Sequence, residues 1–376
     1  MNKLRKALEL KEKGKVSKLV LIKGRYLETQ PDLLFPNELD RVFCLGVDWG
    51  EILENKAKGK MELVHDFFKE QYKLVMQAYN FQKPLMSLMN GTVANSGAGL
   101  AFACGMRLST VHTIFACPET SFGFIPDCGQ TFHLSRLEKH LGVYLSLTGR
   151  RVRGFDLKHL GLATHQIIAG TESEMAEMVG NAWTGDYRGF LPLMELYECS
   201  PAPFSLGEHV DLIDRCFGKE SVEEIMESLE KEGTSFAMKT AQMLRERSPL
   251  SLKLALAAQR KVMEEKLDLR ETMHYEWRAV KRLLDDSHSD LYTGLEETIL
   301  KGRFVPKSSI RWKSSLQTVS EKQVEEYFAP FQDPMEEQFV QDIESVSLFF
   351  FQKKKEWERK KMMITNRPEM NLCDYT

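Results

Sequence analysis

The sequence predicts an α/β fold with parallel strands, followed by a helical region. Between residues 18 and 116, short runs of β-forming residues alternate with helical segments, a pattern typical of βαβ crossovers. From Ser221 to Leu284 one helical segment follows another, separated at Gly233 and at Ser248-Pro249. We therefore expect a parallel α/β core that carries a helical region at its carboxyl side.

The individual elements follow from local patterns along the chain. Residues 3–13 predict a short charged helix that ends near Gly14, and the two prolines of Tyr26–Arg41 predict a surface insertion. In 62–79, Leu63, Phe67, Leu74 and Met76 recur among charges at helical spacing. The other predicted elements are strands over 18–23, 42–46, 84–89 and 113–116, helices over 99–108 and 134–147, and a loop over 121–126.

Composition excludes several classes of protein. The 376 residues are 43% hydrophobic and 28% charged, and a net charge of −3 gives no sign of a generally nucleic-acid-binding surface. The seven cysteines are scattered without CxxC pairs, which favours a reducing compartment and argues against a disulfide scaffold or a structural zinc site. No run of eighteen apolar residues occurs, so we expect no membrane-spanning helix.

We expect three regions along the chain. Residues 1–220 form the α/β core with the site, 221–315 form a helical region of the same fold, and 316–376 form a divergent charged extension. Within that extension, residues 352–361 combine six basic side chains with Trp357. This pattern is typical of a solvated helix face, or of a helix that contacts RNA.

The segment from Met89 to Gly105 predicts a turn rich in hydrogen-bond donors. A strand ends at Asn90-Gly91, and a helix begins near Gly97 after small residues. Free N–H groups at a helix N-terminus suit a phosphate or a developing oxyanion. Gly97-Ala98-Gly99 is equally consistent with close helix packing. The turn Gly46-Val47-Asp48 offers a second set of donors, or is an ordinary strand-to-helix connection.

Two carboxylates, Glu119 and Asp127, flank a short apolar loop that contains Gly123-Phe124-Ile125-Pro126. A carboxylate held against apolar walls has its charged form disfavoured, which suits general acid or base catalysis. Two such groups in unlike surroundings can divide these roles. The alternative is a helix-capping acid and a turn acid, both of which are common.

The order of these motifs resembles the crotonase superfamily and, within it, the 3-hydroxyisobutyryl-CoA hydrolases. The resemblance spans about residues 4–313 and is dense over 83–165, through "KPLMSLMNGTVANSGAGLAFACGMRLST", "FACPETSFGFIPDCGQTFHLSRL" and "LGVYLSLTGRRVRG". It implies a crotonase-like ββα superhelix. It also implies hydrolysis of a short-chain 3-hydroxyacyl-CoA thioester, as in valine breakdown, in the mitochondrial matrix.

The resemblance also implies roles for individual residues. The N–H groups of Val47 and Ser96, the latter followed by Gly97, match the positions that hold the thioester oxygen. Glu119 matches the catalytic carboxylate that activates water or attacks the carbonyl carbon, and Asp127 matches the acid that engages the acyl 3-hydroxyl and assists proton transfer. No metal and no cofactor is implied, because CoA is part of the substrate.

Four departures from the family pattern bear on activity. Asn95-Ser96-Gly97 replaces a run of glycines, so that we expect a crowding Cβ and a costly backbone conformation at Ser96. Gln71 stands where the family has an acid that lines the substrate site. Gln130-Thr131 replaces glycines. The family's opening hairpin has no counterpart, which indicates an incomplete start or the loss of a sheet edge.

Two other functions remain open on the same fold. Hydrolase-like proteins of this type also occur as non-catalytic subunits of the mitochondrial small ribosomal subunit, with ribosomal RNA and proteins as partners. The altered turn, the shortened front and the basic tail fit such a reuse. A hydratase or isomerase is less favoured, because Gly99 stands where hydratases of this fold carry a second catalytic glutamate.

Overall fold

The computed structural model describes residues 2–13, 20–24, 41–182, 191–200, 202–287, 289–300 and 310–332. Over these residues the strands form two four-stranded sheets. The first sheet has the order β1-β3-β5-β8 and is parallel throughout. Its strands are β1 (Val20–Lys23), β3 (Leu85–Met89), β5 (Met106–Ser109) and β8 (His165–Gln166).

The second sheet runs in the order β2-β4-β6-β7, and its last strand is antiparallel to its neighbour. Its strands are β2 (Val42–Cys44), β4 (Thr92–Ala94), β6 (Ile114–Ala116) and β7 (Val152–Arg153). The first three strand pairs each give one strand to each sheet before the chain turns into helix, whereas α7 separates β7 from β8. This repeat is the ββα superhelix that the resemblance implies.

Helices follow the strand pairs and then take over the chain. The helices before residue 200 are α1 (Asn2–Lys13), α2 (Trp49–Ala57), α3 (Met61–Tyr79), α4 (Ser96–Ala103), α5 (Gln130–Leu134), α6 (Leu141–Thr148), α7 (Gly154–His159), α8 (Glu172–Ala182) and α9 (Leu191–Glu195). The later ones are α10 (Val210–Phe217), α11 (Val222–Glu232), α12 (Ser235–Arg245), α13 (Pro249–Glu265), α14 (Leu269–Asp285), α15 (Asp290–Leu295) and α16 (Glu321–Phe328). Short 3-10 turns lie at Glu119–Phe122 and Gly207–His209, and a π turn at Glu296–Leu300.

Two predicted helices are wrong in extent. The helix expected over 99–108 spans Ser96–Ala103, and the residues from Met106 onward form β5, because they pair with β3 in the first sheet. The helix expected over 134–147 is two helices, α5 and α6. Between them Lys139 and His140 have positive φ angles of 51° and 54°, which end any helical run.

The apolar face of α3 also differs from the prediction. Leu63 is 52% exposed and Phe67 is only partly buried, whereas Leu74 and Met76 are buried as their spacing suggests. The buried face of α3 begins one residue later in the sequence than predicted, at Val64. It includes Val64, Phe68, Gln71, Tyr72 and Val75. As a result, α3 presents Gln71 and Tyr72 to the interior.

Local capping explains where the later helices begin and end. Ser248 accepts a hydrogen bond from Ser251 N ahead of Pro249, and Gly233 ends α11 with a φ of 62°. Asp268 and Glu271 form a capping box at the start of α14. These caps confirm the helix boundaries predicted at Gly233 and at Ser248-Pro249.

One hydrophobic core joins residues from α1 to α16. Within it, α13 and α14 pack against α5, and Tyr275 of α14 stacks on Phe328 of α16 at 4.2 Å between ring centroids. The helical region thus reaches the segment that carries the two predicted acids. A smaller core on the other side of the first sheet is covered by α8 and α9.

Parts of the sequence prediction fall outside the described residues. These are the insertion over 26–41 apart from Arg41, and the basic segment 352–361 of the carboxyl extension. Within the described ranges, α1 comes before the first strand, so these residues contain no hairpin ahead of α1. Over the same ranges, the structure has no helix that meets the length and hydrophobicity needed to cross a bilayer.

We expect Gly99→Ala to destabilise the fold by about 1–3 kcal/mol, because a Cβ there would lie 2.2 Å from the carbonyl oxygen of Cys128. Gly180→Ala is the matched control, since Gly180 also lies in a helix and a Cβ there meets nothing within 4 Å. That change should stabilise the fold by about 0.5–1 kcal/mol. Urea unfolding measures both, and equal effects of the two changes would contradict this packing.

Candidate active site

The two turns predicted to donate hydrogen bonds lie side by side. A Cβ added at Gly46 would lie 3.0 Å from Ser96 N, and one added at Gly97 would lie 2.6 Å from the carbonyl oxygen of Cys44. The Asn95 side chain links the turns, because its Nδ2 donates to the Leu45 oxygen at 2.8 Å. The structure therefore brings Val47, in the first turn, close to Ser96 and Gly97 at the start of α4.

The backbone strain expected at Ser96 lies at Asn95 instead. Asn95 has φ 51° and ψ −145°, close to a region that only glycine adopts readily, whereas Ser96 is the first residue of α4. Such a conformation costs about 1–3 kcal/mol and persists only where the surroundings hold it. The bond from Asn95 to Leu45 and the burial of Asn95 supply that restraint.

Glu119 opens the 3-10 turn that follows β6 and is 1% exposed. Its Oε1 accepts a hydrogen bond from Gln130 Nε2 at 2.8 Å. Its Oε2 is buried and has no hydrogen-bond partner among the described residues. Gln130, noted in the sequence only as a departure from glycine, is therefore the side chain that holds the predicted catalytic carboxylate.

Asp127 precedes α5 in a tight turn and is also 1% exposed. Gln130 N donates to the Asp127 carbonyl oxygen at 3.1 Å, which closes the turn around Cys128 and Gly129. The Cys128 thiol lies 3.6 Å from Asp127 Oδ2 and 3.8 Å from Gln71 Oε1. The structure thus brings Gln71 to the same cluster as Asp127.

A third buried carboxylate, Glu276 of α14, was missed in the sequence. It is fully buried, and its two oxygens accept hydrogen bonds from Gly129 N at 2.8 Å and Thr131 N at 3.1 Å. The signal available in the sequence was its place on the apolar stripe of α14, next to Trp277 and one turn beyond Met273. A charged residue on such a stripe needs a buried partner.

Burial raises the pKa of all three acids. It raises the pKa of Glu119 to about 7, and the hydrogen bond from Gln130 partly offsets this rise. It likewise raises the pKa of Glu276 to about 7, opposed by the N–H bonds of Gly129 and Thr131. The pKa of Asp127 is well above its ordinary value through burial and through repulsion by Glu276 and Glu119.

These shifts divide the acids by role. Asp127 is buried and is repelled by two neighbouring carboxylates, and both effects favour its protonated form. Glu119 is held by a donor and ionises near neutral pH, so that it can act as a base or a nucleophile. A pair of acids with separated proton affinities is the arrangement that general acid–base catalysis requires.

Aromatic rings form one wall beside these acids. Trp49, two residues after Val47, lies 5.4 Å from Phe122 and 5.0 Å from Phe124, measured between ring centroids. Trp49 Nε1 and Gln130 Oε1 are buried without a hydrogen-bond partner among the described residues. Glu119 Oε2 shares this property, and buried polar atoms without a partner are uncommon in folded proteins.

Within the described residues, no group of three or more His, Cys, Asp or Glu side chains is arranged to bind a metal ion. The paired turns offer backbone N–H groups that can polarise a carbonyl group, and the turn that begins at Asp127 packs against α4, since a Cβ at Gly99 would meet the Cys128 oxygen. Glu119 and Asp127 are both enclosed by apolar and aromatic side chains, which strengthen electrostatic interactions.

Comparison with known proteins connects this site to a family. A family model described as enoyl-CoA hydratase/isomerase matches residues 2–328. A mitochondrial 3-hydroxyisobutyryl-CoA hydrolase of Danio rerio is 34% identical over 297 residues, covering 77% of this chain and 75% of the relative. The small ribosomal subunit protein mS47 of Arabidopsis thaliana is 31% identical over 301 residues, covering 77% and 71%.

Among solved structures, a carnitinyl-CoA dehydratase of Mycobacterium thermoresistibile superimposes with a TM-score of 0.74 at 27% identity, covering 88% of each chain. Proteins with three different named functions are thus similar to this chain in sequence or in fold. Any choice among these functions therefore depends on the side chains of the site.

We expect Glu119→Gln to stabilise the fold at pH 8 and not at pH 4. A folded-state pKa raised from 4.5 to about 7 contributes stability that is present below pH 4.5 and lost as the pH rises through 7. The loss corresponds to about 3 kcal/mol, which the uncharged amide avoids. Urea unfolding across this pH range measures it, with exposed Glu227→Gln as the control for loss of one charge. A pH-independent difference would contradict a buried, ionising Glu119.

Proposed function

Because the chain belongs to the enoyl-CoA hydratase/isomerase family of the crotonase superfamily, we propose that it hydrolyses a short-chain 3-hydroxyacyl-CoA thioester of the 3-hydroxyisobutyryl type. The observation that carries this proposal is Glu119, a buried carboxylate with one oxygen held by Gln130 and the other without a partner. The relative from Danio rerio is a mitochondrial hydrolase of that substrate. We propose the same compartment for this chain.

In this proposal the thioester oxygen lies between the N–H groups of Val47 and Ser96. The adjacency of the two turns supports this role, since Gly46 packs against Ser96 N. Ser96 begins α4, so its N–H lacks a partner within that helix and lies at the positive end of the helix dipole. One such donor contributes about 3–4 kcal/mol to stabilisation of a tetrahedral intermediate.

Glu119 then acts on the carbonyl carbon in one of two ways. As a base, it takes a proton from water while the hydroxyl oxygen bonds to the carbonyl carbon. As a nucleophile, its unpartnered Oε2 attacks that carbon directly and forms an anhydride that water cleaves. In both routes the carbonyl re-forms and the CoA thiolate leaves.

Protonated Asp127 completes the reaction. It donates a hydrogen bond to the 3-hydroxyl of the acyl group and supplies a proton to the departing thiolate, and the proton taken from water restores it. Burial and the neighbouring carboxylates raise the pKa of Asp127, which favours the protonated form that this step needs. The products are CoA and the free 3-hydroxy acid, and no cofactor takes part beyond the CoA of the substrate.

The packing around Gly99 disfavours hydration as the reaction. By resemblance, hydratases of this fold carry a second catalytic glutamate at this position. Here a side chain would collide with the backbone of Cys128. The α4 helix therefore offers no second base beside Glu119.

A second function is favoured by one specific observation. The relative mS47 is 31% identical over 301 residues and is named as a small ribosomal subunit protein. The strained Asn95 and the nearly complete burial of Glu119 and Asp127 are compatible with a site that no longer turns over substrate. This second candidate is a non-catalytic subunit of the mitochondrial ribosome that contacts ribosomal RNA and proteins.

We expect the purified chain to release free thiol from 3-hydroxyisobutyryl-CoA, and Glu119→Gln to lower kcat roughly 10²–10⁴-fold. The rate should rise with pH up to about 7, because Glu119 must be ionised, and then level off. Thiol release measured across pH tests this, with Glu227→Gln as the variant that leaves the rate unchanged. A folded chain that releases no thiol from any short acyl-CoA would refute the hydrolase proposal.

The ribosomal alternative predicts a different experiment. The chain should co-sediment with mitochondrial small ribosomal subunits in a sucrose gradient, and Glu119→Gln should co-sediment to the same extent, since no chemistry is involved. Recovery of both proteins only in the light fractions would contradict this alternative.

A further inference from the structure

The turn that carries Asp127 is strained and needs support. Cys128 and Gly129 have φ angles of 55° and 81°, so two successive residues are left-handed. Glycine tolerates this conformation, but for cysteine it costs about 1–2 kcal/mol. The turn's own hydrogen bond, from Gln130 N to the Asp127 oxygen, is 3.1 Å long. A turn of this kind persists only where neighbouring structure holds it.

Glu276 supplies that support from α14. Its Oε2 accepts from Gly129 N and its Oε1 from Thr131 N, at 2.8 Å and 3.1 Å. Hydrogen bonds to an ionised carboxylate are shorter and stronger than neutral ones. Because both oxygens are engaged, the carboxylate restrains the position and the orientation of the turn.

The two N–H groups that Glu276 accepts lie on either side of Gln130. Between them, the Gln130 side chain extends to Glu119 and donates to its Oε1 at 2.8 Å. A displacement of the turn would therefore move Gln130 Nε2 away from Glu119. It would move Asp127 as well, since Asp127 begins the same turn. One carboxylate on α14, which is distant in sequence but touches the turn, thus restrains the geometry of both acids.

We propose that Glu276 is a positioning residue for the acid pair, which fixes the Asp127–Gln130 turn so that Gln130 orients Glu119. The reaction this pair performs rests on the proposed thioesterase function, but the positioning itself does not. A second effect is electrostatic, because an ionised Glu276 repels a charge on Asp127 and adds to the rise in the Asp127 pKa that burial causes.

Other titratable groups also face Asp127 and affect its pKa. Tyr72 faces Asp127 from α3, and its hydroxyl group lowers the pKa of Asp127. Cys128 lies on the turn itself, and its thiol stays protonated because burial and the nearby carboxylates raise its pKa. Glu119 faces the cluster from the 3-10 turn. None of these groups replaces Glu276 at the N–H groups of the turn.

The experiment is an infrared titration of the full chain in heavy water, which detects protonated carboxyl groups by their carbonyl stretch. Asp127→Asn and Glu119→Gln assign the bands. In Glu276→Gln the Asp127 band should disappear about one pH unit lower than in the wild type, because a repelling charge is gone. For the Glu119 band two effects oppose each other in this variant, because a weakened Gln130 hydrogen bond disfavours ionisation and loss of the Glu276 charge favours it. The position of the Glu119 band is therefore compared in variants that keep the Glu276 charge.

Two further variants separate the two effects. Gln130→Leu removes the bond to Glu119 and keeps the Glu276 charge. It should shift the Glu119 band upward and lower the Asp127 band less than Glu276→Gln does, because Glu119 repels Asp127 less than Glu276 does. Glu276→Asp keeps the charge but is too short to hold both N–H groups, so the Glu119 band should again shift upward. An unshifted Glu119 band in a folded Glu276→Asp would overturn the proposal.

These measurements need no substrate, so they are independent of the proposed reaction. Shifted bands in a chain that releases no thiol would refute the thioesterase and leave the positioning role intact. In a chain that does release thiol, Glu276→Gln should lower kcat roughly 10²-fold with little change in KM, because misplacement of the acids affects the chemical step. A purely structural role would lower the melting temperature and leave both the bands and kcat unchanged.

Discussion

The removal of three carboxylates from water is the constraint on which the rest of this structure depends. Glu119, Asp127 and Glu276 are each 1% exposed or less. An isolated buried charge costs several kcal/mol, so each acid needs either a donor or a proton. The donors come from Gln130 and from the backbone of one turn, which lies between α14 and the strands. The helical region is therefore part of the site and not only a cover for the sheets.

Much of the fold was predictable, because strand and helix patterns are local. Strands β2, β3 and β6 and the helices between Gly233 and Asp285 lie near their expected positions. The boundary between α4 and β5 was not predictable, since small and apolar residues continue from Ala101 to Leu108 and fit a buried helix or a buried strand equally well. Pairing with β3 makes residues 106–109 a strand. The local sequence does not show which strand will be the partner.

The site was predictable in part, because short motifs can be recognised in the sequence and contacts between distant segments cannot. Glu119, Asp127 and the two donor turns lie within short motifs, whereas Glu276 meets its turn across 145 residues of chain. In α14 it stands among several other charged side chains, and only its place on the apolar stripe distinguishes it. Gln130 looked like a loss of glycine, although it supplies the donor that Glu119 needs. Contacts across long separations determine what such residues do.

The Cys128 thiol, wedged between Asp127 and Gln71, has a consequence for handling the protein. Burial raises its pKa, and the pKa of the other five described cysteines is raised as well. The thiolate is the form that attacks thiol reagents, so a raised pKa slows the reaction of these six sulfurs while the chain is folded. The four buried ones, Cys104, Cys117, Cys128 and Cys216, are also shielded from the reagent, so they add little background when release of CoA is followed colorimetrically. Conversely, alkylation of Cys128 reports that the interior has opened.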